Sequence, residues 1–228
     1  MAKKEHFEMM GLTKSRIEAL TDGVFAIAMT LMVFNLKVPD VPANSANWEL
    51  SRRLLGMWHF FIIYGISFIV LGIYWVGHHN QFHWIEQTDR RSLWINLFFL
   101  FAVTLIPFST ILAGRYPDQR DAVIFYGLNL MLVGLLLYAH MAYATGPGHL
   151  ADPKVHPELI RMAKRLVLTG PAACLVAIIV ALFHPRVASL LYLLVPLFYI
   201  FLPGVDRKIS RYVRTAGLRP ERLAFCDA

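Results

Sequence analysis

Cysteine and charge are what this 228-residue chain has least of. Its two cysteines are Cys174, inside an apolar run, and Cys226, near the end, so a disulfide-stapled fold and a cysteine metal site are excluded. Charged residues make up 16%, against about 25% in an ordinary soluble domain. Apolar residues make up 57%. Disorder is excluded too, because it needs low hydrophobicity and high charge. No glycine-rich phosphate loop is present, so nothing couples the chain to nucleotide hydrolysis. What is there in excess is long apolar sequence, with a mean hydropathy of +0.52.

Hydrocarbon about 30 Å thick takes roughly 20 helical residues to cross. Five stretches qualify, over 54–77, 93–113, 122–144, 166–183 and 187–205, and a sixth candidate over 23–36 comes first in the chain. The expected fold is therefore all-α: a polytopic membrane protein of six transmembrane helices. His184-Pro185-Arg186 makes a tight hairpin between the last two. Pro107, Pro171 and Pro196 fall inside spans, where neighbouring helices can satisfy the carbonyls that a proline frees. The expected division is a transmembrane domain over 1–205 and a basic cytoplasmic tail over 206–228.

Basic residues set the orientation. Lys3, Lys4, Lys14, Arg16, Arg90, Arg91, Lys154, Arg161, Lys164, Arg165, Arg207, Lys208, Arg211, Arg214, Arg219 and Arg222 fall on one side; Lys37, Arg52, Arg53, Arg115, Arg120 and Arg186 fall on the other. By the positive-inside rule both termini are cytoplasmic. The net charge of +7 then reflects topology and anionic lipid and calls for no nucleic acid. The expected location is the cell (plasma) membrane, multi-pass. A cleaved signal peptide is the rival reading of the first stretch, but Glu18 and Asp22 lie against it where a signal peptide keeps positive charge. Arg207, Arg211 and Arg214 share a helical face in the tail, which reads as solvated or headgroup-facing, with an interaction helix as the alternative.

The first span is the unusual one. Between Asp22 and Lys37 lie 14 residues, about 21 Å of helix. That is too short, so the helix is expected to extend back through 16–21 and to bring Asp22 to the membrane boundary. Ile27, Leu31 and Phe34 share one face, with Thr30 beside them. Such a face either packs against other helices or, around a symmetry axis, stacks apolar rings that gate by dewetting. Spacing leaves both open. Asp22 is likewise either a carboxylate steadied near a helix start or a functional intramembrane charge whose partner lies on another helix.

The run Arg16-Ile-Glu-Ala-Leu20-Thr21-Asp22-Gly-Val-Phe-Ala-Ile-Ala-Met-Thr-Leu closely resembles the first-helix signature of prokaryotic members of the transmembrane protein 175 (lysosomal potassium channel) family. Tyr74-Trp75-Val-Gly-His78-His79-Asn-Gln-Phe82 resembles that family's Trp-x-x-His-x-x-x-Phe pattern. Arg90-Arg91, Leu93-Trp94, Asn96-Leu97 and Pro107-Phe108 resemble the start and end of its third helix. Leu20 stands where the family has Phe, and Thr21 where it has Ser. The second change keeps the hydroxyl; the first removes a ring. The last three helices rest on hydropathy alone.

The resemblance implies a potassium-permeable channel, passive, assembled as a homotetramer around the first helix, with apolar side chains in place of a carbonyl filter. Family pore positions fall on Ile27, Thr30, Leu31 and Phe34, with Ile27 the main constriction. The family's cytoplasmic hydrogen-bond network falls on Arg16, Thr21, Asp22, Trp75 and His78. Its implied partners are further copies of itself and membrane lipids, with no nucleic acid and no small-molecule substrate other than cations. No cofactor is implied beyond the permeant K+, and no enzyme activity. The sequence agrees in lacking a Thr-Val-Gly-Tyr-Gly filter and an arginine ladder inside any span.

Two other classes compete. A secondary ion transporter would show repeated halves or paired broken helices, and 1–113 and 114–228 show no convincing repeat. A histidine-ligated membrane metalloenzyme would need more than the single cluster His78, His79 and His83. A pH-responsive role for His78 is open, given an ordinary pKa of about 6.5.

Overall fold

The computed structural model describes residues 13–42 and 47–200. Among them the secondary structure is helical, apart from one isolated bridge between Ile85 and Ala151. Five helical stretches are long and apolar enough to cross a membrane. The chain is an all-helical, multi-pass membrane protein. The 206–228 tail, Lys3, Lys4 and Cys226 lie outside the described residues.

The first span is helix α1, Lys14–Leu31, followed by a 3-10 turn, Met32–Asn35. The expected extension behind Asp22 is present. Eighteen α-helical residues rise about 27 Å, and the tighter turn adds about 8 Å, enough to cross.

The second span begins later than expected. Leu54 belongs to a separate short helix α2, Asn47–Gly56, and Met57 (φ −86, ψ 2) breaks the chain before α3, Trp58–Trp84. The reason is amphipathicity. Arg52 and Arg53 both reach back to Glu49, at 3.1 and 2.8 Å, which keeps α2 on the surface. At the other end α3 runs to Trp84, seven residues past the expected Gly77, because Gln81, Phe82 and Trp84 are buried inside the subunit.

The third span is two helices, α4 Arg90–Thr104 and α5 Ile106–Arg115. Pro107 lacks the N–H that would continue the ladder, so the chain breaks just ahead of it at Leu105 and restarts with proline in the first turn. Helix α6, Arg120–Ala144, is the central one: half of its apolar stretch is buried in the subunit, against 17% for α3.

The fifth span, α7, Pro157–Ala181, starts nine residues before the expected Leu166, with His156 at its cap and Pro157 in its first turn. Its basic turn, Arg161 to Arg165, is therefore helical. The ring of Pro171 nests on Gly134 of α6: a Cβ there would come within 2.7 Å of Pro171 Cγ. Three turn residues then lead into α8, Pro185–Ile200. The expected sixth span runs on past residue 200, and 201–205 lie outside the described residues.

The buried apolar residues of α1, α3, α4, α5, α6, α7 and α8 form one cluster that includes Phe25, Leu71, Phe99, Val103, Val133 and Tyr192. A second, smaller cluster joins Ile17, Phe82, Ile85, Ala144 and Leu150. It sits where the chain after α3 meets the chain after α6. Glu86 N–H donates to Leu150 O at 2.9 Å, and Asp152 N–H to Trp84 O at 2.9 Å. That clasp fixes the helix ends around the start of α1.

Candidate pore helix and its anchoring network

Helix α1 and the 3-10 turn that continues it have two unlike sides. Ile17, Thr21, Phe25, Ala28 and Met32, spaced four, four, three and four apart, are all buried. Phe25 meets Phe99 of α4 with ring centroids 5.9 Å apart. About a third of a turn round the helix from them, Leu20, Ile27, Leu31 and Phe34 stand exposed in the single subunit, Ile27 at 59% and Phe34 at 76%. Thr30 is exposed beside them, and its hydroxyl donates back to Ala26 O (2.9 Å) and Ile27 O (3.0 Å) of its own helix. All four sequence-derived pore positions thus lie on one uncovered side.

The packed side is anchored through Asn96 of α4, a polar residue buried inside an apolar helix. Its Nδ2 donates to Thr21 Oγ1 at 3.2 Å, and its Oδ1 lies 2.8 Å from His78 Nε2 on α3. Because the amide oxygen only accepts, His78 carries its proton on Nε2. One asparagine thereby ties three helices together. Alongside it, Trp75 Nε1 donates to Asp22 Oδ1 at 2.8 Å. Asp22 therefore meets its partner on another helix. Thr21, Asp22, Trp75 and His78 are brought together on the adjoining sides of α1 and α3. Arg16 sits on the exposed side of the first turn of α1.

Sequence reasoning missed the hub and a second network beyond it. The His78 ring lies nearly parallel to Phe99 (5.4 Å, 10°) and stacks on Phe82 (4.3 Å). Phe82 stacks in turn on His140 of α6 (5.2 Å, 4°). His140 Nε2 lies 2.9 Å from Ser92 Oγ, and its Nδ1 lies 3.4 Å from Gln81 Oε1. Gln81 Nε2 donates to Leu137 O. Asp89 caps α4 through Ser92 N–H (2.8 Å) and accepts from Tyr143 OH (2.6 Å). The signal for both was the same: Asn96 and His140 are polar residues lying alone in apolar runs.

The histidines of the one cluster do not converge. His78 points into the bundle, whereas His79 and His83 are exposed. No group of three or more His, Cys, Asp or Glu placed to hold a metal occurs among the described residues.

A family described as endosomal/lysosomal potassium channel TMEM175 matches residues 16–107, from the first turn of α1 through the break at Pro107. Over 153 residues the chain is 34% identical to a potassium channel of Streptomyces collinus, a match that covers 65% of this chain and 73% of that one. This chain belongs to the TMEM175 family. Its fold resembles the crystal structure of a lysosomal potassium-selective channel TMEM175 homolog from Chamaesiphon minutus, with a TM-score of 0.71 at 25% identity; the likeness covers 84% of this chain and 98% of that one. The human endosomal/lysosomal proton channel TMEM175 is 24% identical over 197 residues, and this chain spans 38% of its length. The matched segment of the TMEM175 family takes in α1, Trp75, His78 and Asn96, so the anchoring network lies within it; His140 lies beyond it.

Proposed function

We propose that this chain is a potassium-permeable channel that conducts passively through a homotetramer in the plasma membrane, with α1 of each subunit lining the pore. The subunit spans six times, both termini are cytoplasmic, and the transmembrane domain occupies 1–205. The observation that carries the reading is the uncovered side of α1, where four large or medium side chains share one stripe. Around an axis, Ile27 forms the main apolar ring, with Thr30, Leu31 and Phe34 in successive layers toward the far end. A ring of that kind passes an ion only when it is wide enough to hold water, so its size and polarity set the current. Asn96, Thr21, Asp22, Trp75 and His78 hold the packed side of α1 against α3 and α4 and so fix which side faces the axis. The potassium channel of Streptomyces collinus and the potassium-selective homolog from Chamaesiphon minutus support potassium as the permeant ion.

The test is the reversal potential of purified protein in a planar bilayer with potassium on one side and sodium on the other, recorded for the wild type and for Ile27→Asn. The expected result is a potassium-selective current, several-fold larger in Ile27→Asn, because a polar ring wets more readily. No current from either protein, or equal permeability to both ions, overturns the reading. A flux at carrier turnover rates would point to the transporter class.

A further inference from the structure

Three segments finish together at the edge of the bundle away from Lys14: the 3-10 turn after α1, the first turns of α3 and the end of α5. Between them lies a cavity of about 380 Å³, within the range of sites that hold a small organic ligand. Its walls are apolar, with Phe60, Ile63 and Tyr64 from α3 and Ile111 from α5. Its two charged residues are both cations, Lys37 and Arg115, and no carboxylate lines it. Neither cation forms an ion pair among the described residues; the Arg115 guanidinium lies over the Tyr116 ring at 6.0 Å. The segment after the 3-10 turn, residues 36–39, forms one side of the cavity and is held in place from outside, because Arg53 donates to Asp40 O at 2.6 Å.

We propose that this cavity holds one anionic phospholipid of the adjoining leaflet, its phosphate between Lys37 and Arg115 and its glycerol and upper acyl chain along Phe60, Ile63 and Ile111. Two uncompensated cations at the rim attract a phosphate, and the apolar walls below them continue into the membrane-spanning parts of α3 and α5, whose apolar surface suits an acyl chain. A soluble anion would use only the rim. A zwitterionic lipid would bring its own cation toward Lys37 and Arg115. The match of charge above and hydrocarbon below therefore selects an anionic lipid. The proposal stands whichever ion the channel passes, and whether or not it passes any.

The test is native mass spectrometry of the detergent-purified full chain titrated with phosphatidylglycerol or phosphatidylcholine. The wild type is expected to retain phosphatidylglycerol in preference to phosphatidylcholine. The double variant Lys37→Gln/Arg115→Gln is expected to bind phosphatidylglycerol about 30-fold more weakly, since each basic residue near a membrane surface is worth roughly 1 kcal/mol. Ile111→Trp, which keeps both charges and narrows the cavity, is expected to lose the lipid as well, while the oligomer elutes unchanged. Equal retention of the two lipids overturns the proposal, as does retention unaffected by either variant. Displacement of the bound lipid by millimolar inorganic phosphate alone would mean a simple anion site and also overturns it. So does a wild type that binds no lipid while the double variant breaks the oligomer, which would mean that a neighbouring copy fills the cavity.

Discussion

Ile17, Phe25, Ala28 and Met32 on one side of α1 are buried, whereas Leu20, Ile27, Leu31 and Phe34 on the other, no less apolar, are exposed in the subunit. Hydrophobicity does not separate these two sides, because lipid, a packed helix and a dewetted pore all accept the same residues. What separates them is the partner. The buried side alternates large and small residues against α4 and turns its one hydroxyl, Thr21, to Asn96. The exposed side turns its hydroxyl, Thr30, back onto its own helix. The same residue type makes an interhelical bond in one place and satisfies itself in the other.

The largest expected contrast is between Phe25→Ala and Ile27→Ala. Removing a ring that is 1% exposed and packed on Phe99 costs about 3–5 kcal/mol and leaves little assembled protein. The same truncation at Ile27 leaves the subunit fold intact and alters the current instead. Thermal unfolding and size-exclusion profiles of the two purified variants check this. If both unfold alike, the exposed side is covered by structure and lines no pore.

Asn96→Leu comes next. It leaves Thr21 Oγ1 and His78 Nε2 without their partner in a buried site, at a cost of about 1–3 kcal/mol. Combined with Thr21→Val in a double-mutant cycle, the Asn96–Thr21 pair is expected to couple by about 0.6 kcal/mol, the average for interhelical hydrogen bonds in membranes, and by no more than about 1.7 kcal/mol. A coupling of zero would mean that the asparagine holds α3 to α4 and leaves α1 independent.

Much of this was legible before any coordinates. The span at 122–144 follows from hydropathy and the later hairpin from one proline, although the turn lies at 182–184, ahead of the expected 184–186, because Pro185 opens α8 instead of sitting in the turn. The backward extension of α1 followed from length alone, since 14 residues cannot cross. Boundaries failed where a local pattern overrode apolar content: Leu54 and Leu55 are apolar, yet the pairing of Glu49 with Arg52 and Arg53 draws them into a surface helix. The break at Leu105 was half legible, because Pro107 marks it, although tolerance of proline in lipid gave no reason to expect two helices. Asn96 as a hub was not legible. A polar residue in an apolar run announces that it has a partner but not which helices it joins, and His140 has the same ambiguity from 44 residues away. The side of α1 that stays uncovered depends on tertiary packing, on which a spacing of three and four is silent.

Thr30→Val sharpens the comparison further down the scale. Its hydroxyl bonds only to carbonyls of its own helix, so stability is expected to change by less than about 0.5 kcal/mol, whereas Thr21→Val gives up a bond to another helix. Equal losses at the two threonines would mean that Thr30 has a partner in the neighbouring subunit. Conductance separates that case from simple destabilisation, since a hydroxyl ring on the axis affects ion passage while a packing contact does not.

The smallest effect belongs to a contact on neither side of α1. Asp118, in the loop before α6, accepts from the Arg186 guanidinium at the head of α8, with Nη2 at 2.9 Å from Oδ2. The arginine's hydrogen bonds hold the Asp118 carboxyl below the usual carboxylate range. A carboxyl whose pKa is depressed by folding contributes stability above its unfolded value, about 3.9, and loses it as the pH falls through the lower folded value. Asp118→Asn should therefore lower the melting temperature slightly at pH 7 and not at all at a pH below both values. Both side chains are exposed, so the pair is screened, and about 1 M salt should erase the difference at pH 7 as well. A loss as large as that of Thr21→Val, or one that survives the salt, would mean that the α7–α8 hairpin depends on this loop, and that the stability of the subunit is not concentrated where α1 is held.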